Sequence, residues 1–250
     1  PGSKSSPLLV LDEHNACFQI VQRLAEGAGN PLKKWVLQGE ARKVQAYEAR
    51  CLAQFDRVVT VTQEDRRILE GLLAGEQAAF TTIPICVDPQ QTQAAQPTPG
   101  SKNVLHLGTM FWPPNAEGVL WFTRQVWPQI LAQVPQATFS IVGKNPPEAV
   151  RALASNGDIE VTGFVQDPQP YLDRASVFIV PLFSGSGMRV KILDAWSWGL
   201  PIVSTSIGAE GLEYRQEENI LIADSAQEFA QAVVRLLQDA RDQPRDFVVV

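Results

Sequence analysis

Between Val177 and Thr205 the chain reads VFIVPLFSGSGMRVKILDAWSWGLPIVST: an apolar strand, a glycine-rich turn, a helix and a second apolar strand. Small residues in the turn free the backbone N–H groups of Gly185, Ser186, Gly187 and Met188 where the positive end of a helix dipole arrives, which is how a phosphate is held. Arg189 and Lys191 add two cations. Counted from Gly187, Lys191 and Asp194 fall at i+4 and i+7. One helix face is therefore expected to carry a gap for a ligand, a cation and a carboxylate. An anion bearing hydroxyls suits that face; the plainer alternative is a solvated i,i+3 ion pair of Lys191 with Asp194. Gly199 is placed to end the helix, and Gly208 and Gly211 form a second flexible loop, so two loops are expected to face one crevice.

The elements that must position this turn follow from the apolar pattern. From Asn103 onward, strand-like runs (NVLHLG, ATFSIVG, IEVTGF, VFIVPL, PIVST, NILIA) alternate with helical ones. The latter include a single helix over 116–134 and a last one beginning at Ser225. Strands that are apolar throughout, separated by helices, predict a parallel sheet covered on both faces, a doubly wound α/β domain. Ligands bind such sheets outside the carboxyl ends of the strands, where Gly108, Gly143, Gly163, Gly185 and Gly208 all fall. Residues 1–88 repeat the grammar more thinly: a strand LLVLDEHN, a helix around 39–55, a strand RVVTVT, a helix DRRILEGLLAG and a strand FTTIPI. Thr62 and Asp65 form a capping-box-like start. The polar, Pro- and Gln-rich stretch 89–101 reads as a linker, 102–240 as the second domain and 241–250 as a tail. Three strands make a thin sheet, so the first domain is expected to be the carboxyl part of something larger, with its beginning missing.

Composition narrows the function. The 250 residues are 45% hydrophobic and carry a formal charge of −6. An acidic chain with no basic patch argues against nucleic acid as a partner. No apolar run approaches the length of a membrane span and the start is not that of a signal peptide, so a cytoplasmic setting is expected. Cys17, Cys51 and Cys86 are widely spaced, which predicts buried free thiols rather than disulfides or a zinc site. With only His14 and His106 and no Asp-x-Asp pair, no metal site is expected.

Several segments together carry a family resemblance. They are LDEHN at 11–15, YEARCLAQFDRVVTVTQED at 47–65, IPICVD at 83–88, HLGTMFWPPNAEGVLWF at 106–122, IVGKNPP at 141–147, VTGFVQD at 161–167 and the block 181–212. In these the chain resembles the retaining glycosyltransferases of family 4, which have the GT-B fold of two facing Rossmann-like domains. The resemblance implies an α/β, GT-B type protein with parallel sheets, the first domain incomplete. It further implies that 102–240 binds a nucleoside diphosphate sugar and that the first part serves the acceptor. The implied activity is transfer of the sugar to an acceptor hydroxyl with retention, without metal or any cofactor beyond the donor substrate. Acceptors would be carbohydrate, lipid-linked or small-molecule, with room for a peripheral membrane contact through missing amino-terminal segments. Same-fold alternatives are a nucleotide-sugar epimerase, a phosphorylase, or a donor-binding module without turnover; the truncated chain is itself expected to be weak or inactive.

Carried over by position, the family's pair of acids eight residues apart falls on Ser186 and Asp194. The first acid is lost, and Asp194 is assigned the ribose hydroxyls. Many relatives place an Arg and a Lys after the first strand of the donor domain to neutralise the diphosphate, whereas here GTMFWPPNAEG has neither. Arg189 and Lys191 are the nearest replacements, and Lys144 is a third, its alternative being a solvated loop lysine. Gly163, Phe164 and Val165 are implied to contact the base through backbone, the alternative being a strand end with a buried Phe. Gly108 completes the donor-side set. His14 is the acceptor-side candidate, His106 a packed core residue, and Trp112, Trp121, Trp127, Trp196 and Trp198 are expected in packing.

Overall fold

The computed structural model describes residues 7–73, 78–88, 92–185 and 187–238, and the chain divides into two compact units. The first runs to Ile85 and takes in two short segments, 184–188 and 210–212. Its elements are β1 (Val10–Glu13), α1 (Cys17–Glu26), α2 (Pro31–Leu52), β2 (Arg57–Thr60), α3 (Gln63–Glu70) and β3 (Ala79–Thr82). The strands form a parallel sheet in the order β1-β2-β3. Ala16, Leu52, Val58 and Leu69 are fully buried in its core.

Two helix starts in this unit differ from the sequence expectation. No helix was foreseen at α1, because it lacks a local cap. Its first amides instead donate to the buried carboxylate of Glu48 on α2, Cys17 N at 2.7 Å and Phe18 N at 3.0 Å. The helix expected around 39–55 begins earlier, at Pro31, where Asn30 accepts from Leu32 N and Lys33 N and the proline ring presets the first turn. Thr62 caps α3 as expected, accepting from Asp65 N at 2.9 Å. The Asp65 carboxylate reaches back to the cap, Oδ2 accepting from the Thr62 hydroxyl, while Oδ1 accepts from Ala16 N. The buried-thiol expectation is corrected: all three cysteines are free, but Cys17 and Cys86 are exposed and Cys51 half-buried.

The second unit holds 86–183, 189–209 and 213 onward. It contains β4 (Asn103–Leu107), α4 (Pro113–Trp121), α5 (Trp127–Leu131), β5 (Thr138–Val142), α6 (Glu148–Arg151), β6 (Ile159–Gly163), α7 (Gln169–Arg174), β7 (Ala175–Val180), α8 (Val190–Ser197), β8 (Ile202–Ser204), β9 (Leu221–Ile222) and α9 (Ala226–Gln238). All six strands are parallel, in the order β6-β5-β4-β7-β8-β9. Every residue of β7 is buried, as the unbroken apolar run required. The core packs Phe122, Phe139, Phe229 and Trp127 against the sheet.

The helix expected over 116–134 is interrupted. Pro128 has no N–H for the i−4 carbonyl, and a π-turn at Phe122–Val126 joins α4 to α5. Residues 92–101, expected as a linker, are hydrogen-bonded along this unit: Ala95 N to Trp198 O at 2.9 Å and Gln96 N to Asp173 Oδ1 at 2.7 Å. Trp127 and Trp196 are buried and Trp121 and Trp198 partly so, whereas Trp112 stands 42% exposed, against expectation.

Candidate functional site

Strand order reverses between β4 and β7, the first strand of this unit and the fourth, and the crossovers leave the sheet in opposite directions there. In doubly wound sheets that reversal opens a crevice at the carboxyl ends. On one side the floor is backbone: Gly108 N donates to Val142 O at 2.9 Å and Met110 N to Lys144 O at 3.0 Å. A Cβ on Gly143 would lie 1.7 Å from Gly108 O, so position 143 requires glycine. On the other side, Ser204 Oγ donates to Val180 O at 3.2 Å, Thr205 Oγ1 to Leu182 O, and Gly208 N to Thr205 Oγ1 at 3.0 Å, fixing the turn after β7 to the end of β8.

Helix α8 begins at Val190, three residues later than the glycine turn suggested, because Gly187 sits at φ +75°, outside helical space. The i+4 and i+7 counting from Gly187 is thereby corrected: only Lys191 and Asp194 share the helix. They form no ion pair with each other among the described residues. Lys191 Nζ donates instead to Asn115 Oδ1 on α4 at 2.8 Å. Arg189 occupies the N-cap position, is 8% exposed, and its Nη2 stands 3.5 Å from Ile207 O. The helix ends as expected: Gly199, at φ +75°, donates to Trp196 O, and Leu200 N to Ala195 O, the two bonds of a Schellman cap.

Electrostatics single out Lys191. Burial, then the neighbouring Arg189 guanidinium, push its ammonium down from 10.5 to about 7. No carboxylate pairs with it among the described residues. His106, fully buried on β4 as expected, is pushed down to about 3 by burial and then by Lys191. It is therefore neutral, with Nδ1 donating to Ile179 O at 3.0 Å and Nε2 buried without a hydrogen-bond partner. Half-buried Asp194 has its carboxyl raised by desolvation. A lysine ammonium held on a neutral amide at a strand switch point can take an anion with little rearrangement.

The remaining candidates are distributed as follows. Gly163, at φ +73°, ends β6 and its carbonyl accepts from Gly143 N at 3.0 Å, which brings it to the same rim. Phe164 stands 74% exposed, not buried as its alternative had it, with Val165 half-buried beside it. Lys144 is exposed on the turn after β5. Gly185, Gly187, Met188 and His14 all group with the first unit. There a Cβ on Gly187 would lie 2.5 Å from His14 O, while the exposed His14 ring stands 3.4 Å from Asp12 Oδ2. Ser186 lies outside the described residues. Sequence reasoning missed two participants. One is Asn115, whose only signal was an Asn in a first helical turn. The other is Arg23, which pairs with Glu210 (Nη2 to Oε1, 2.6 Å) and donates to Gly185 O within the first unit. Among the described residues no cluster of three His, Cys, Asp or Glu could hold a metal ion, and no helix is long and apolar enough to cross a membrane.

The model of the family described as glycosyl transferases group 1 matches residues 101–239, more than half of the chain and the whole β4–α9 sheet. The chain belongs to the group 1 glycosyltransferases. A Klebsiella pneumoniae relative, described as an uncharacterized 44.6 kDa protein in the cps region, is 31% identical over 140 residues, 53% of this chain and 36% of its own length. Among solved structures, WaaG, described as a glycosyltransferase involved in lipopolysaccharide biosynthesis, superposes with a TM-score of 0.68 at 15% identity. The match covers 98% of this chain and 69% of WaaG. HepE of Anabaena, solved with UDP and glucose, gives 0.66 at 16% identity over 96% of this chain and 64% of HepE. TarM gives 0.63 at 16% over 83% of this chain and 43% of TarM. These likenesses show the GT-B type of fold. This group 1 glycosyltransferase chain spans about a third of its curated relative and less than half of TarM.

Proposed function

We propose that this chain carries the donor side of a retaining, metal-independent glycosyltransferase that moves a sugar from a nucleoside diphosphate sugar to an acceptor hydroxyl. The observation that carries the reading is the Lys191 ammonium, held on a neutral amide at the β4–β7 switch point beside Arg189, with no carboxylate paired to Lys191 among the described residues. As the glycosidic bond breaks, the departing diphosphate gains negative charge. Lys191 and Arg189 supply preorganised positive charge to it and so stand where a divalent cation would otherwise be needed. Asp194, one helical turn on, accepts from the ribose hydroxyls. Gly163, Phe164 and Val165 border the base, Lys144 adds charge at the rim, and the backbone of Gly108 faces the phosphates. The nucleophile is the acceptor hydroxyl, with His14 and the first unit serving the acceptor. Structural relatives support the class of substrate and outcome: HepE was solved with UDP and glucose, and a trehalose-6-phosphate synthase was studied for transfer with retention.

The test is calorimetric titration of the chain, in the presence of a chelator, with UDP-, GDP- and ADP-glucose. One of them should bind, and Arg189→Ala should weaken it. Asp194→Ala should lose affinity for the ribonucleotide but not for its 2′-deoxy analogue. Equal binding of all three, or a strict metal requirement, would overturn the reading; release of free nucleotide without acceptor would favour the epimerase or phosphorylase class instead.

A further inference from the structure

A lysine ammonium serves a diphosphate only if it is charged, fixed and not already neutralised. The neighbours of Lys191 meet these conditions through one residue. Asn115, 6% exposed, is the third residue of α4, after Pro113 and Pro114, whose fixed φ values preset that first turn. Its amide cannot turn over. Nδ2 donates to Thr109 O at 2.9 Å while Oδ1 accepts from Lys191 Nζ, and the reversed amide would set N–H against ammonium and oxygen against carbonyl. Gly108 leaves the room: a Cβ there would lie 2.9 Å from Lys191 Nζ and 3.0 Å from Asn115 Nδ2. Because the acceptor is a neutral amide, it does not cancel the charge of the protonated lysine, which an Asp at 115 would do while repelling an incoming anion.

We propose that Asn115 is a positioning residue for donor binding, holding the Lys191 ammonium beside Gly108 toward the pyrophosphate of the nucleoside diphosphate sugar, an inference that rests on the donor reading above. The titrating neighbourhood is small. Arg189, ahead of α8, is a permanent cation, His106 on β4 is neutral throughout the useful range, and Asn115 on α4 carries no charge. Burial sets the Lys191 equilibrium near pH 7, and a bound pyrophosphate raises it, so donor affinity falls as pH rises from 7 to 9. A sugar diphosphate is the right probe because its pyrophosphate, esterified at both ends, does not titrate across that range.

The experiment follows the Lys191 13Cε shift against pH by NMR, assigned with Lys191→Arg. In parallel, UDP-, GDP- and ADP-glucose binding is measured between pH 6 and 9 on wild type, Asn115→Ala, Asn115→Asp and Gly108→Ala. Asn115→Ala should move the lysine titration to lower pH and weaken binding by about tenfold at pH 8, with less effect at pH 6. Asn115→Asp should move the titration to higher pH and still weaken binding. Gly108→Ala, whose clash falls on the end of a flexible side chain, should fold and behave as Asn115→Ala does. An unchanged lysine titration in Asn115→Ala, or a loss of affinity equal at every pH, would overturn the proposal while leaving the donor reading intact. If the titrations move as stated yet none of the sugar diphosphates binds, the donor reading fails and this proposal with it.

Discussion

Replacing Lys191 by Met should make the protein more stable and less able to bind. Burial lowers the ammonium from 10.5 to about 7, and each pKa unit is about 1.4 kcal/mol, so the folded state carries a ceiling of about 5 kcal/mol of unfavourable charge burial below pH 7. Lys191 keeps part of its surface in water, and Met leaves Asn115 Oδ1 without its donor, which offsets about 1–2 kcal/mol; the absolute gain is correspondingly smaller. The pH dependence is the cleaner quantity. Between about 7 and 10.5 the unfolded chain holds the lysine proton and the folded chain does not. Wild-type stability relative to Lys191→Met therefore rises with pH, by up to about 1.4 kcal/mol per unit, and the advantage of the variant shrinks by about 1–3 kcal/mol from pH 7 to 9.5. Urea unfolding of both proteins, followed by tryptophan fluorescence at several pH values, measures this, and groups common to both cancel in the difference. Donor affinity should be lost in the same variant. A stability difference that stays flat with pH would mean that the ammonium is hydrated in the folded protein, and the leaving-group argument would lose its foundation.

Gly118→Ala should destabilise the second unit by about 2 kcal/mol in denaturant unfolding even though Ala is the better helix former. Its Cβ would sit 2.0 Å from the Pro181 carbonyl, and α4 would have to lift from the turn after β7. Glu48→Ala should cost the first unit about 1–2 kcal/mol and speed hydrogen exchange at the Cys17 and Phe18 amides, which have no other cap.

The second unit was legible because its strands are buried on both faces and so announce themselves as unbroken apolar runs; β4 and β7 lie where those runs predicted, and the strand ends gather the glycines. What escaped was held together by distant partners. Helix α1 starts on a carboxylate 31 residues away, and no local residue marks its beginning. The start of α8 was misplaced because glycine turns and helix N-termini share small residues, and only the positive φ of Gly187 separates them. The partner of Lys191, 76 residues away, is an amide and not the Asp194 three residues along the helix that the solvated ion-pair alternative named. Cysteine burial failed for a simpler reason: thiols are apolar enough to hide but small enough to stay outside at little cost.

Gly143 meets the Gly108 carbonyl with no side chain between them, so the gap between two neighbouring strand ends is fixed by main chain alone. It is a dimension that point substitution cannot enlarge by degrees, since any side chain at 143 collides at once. A descendant of this protein needing a roomier cradle would have to lengthen the turns at 109–112 or 144–147 by insertion. The spacing is thus a fixed gauge, and any change at this strand end must come from the residues around it.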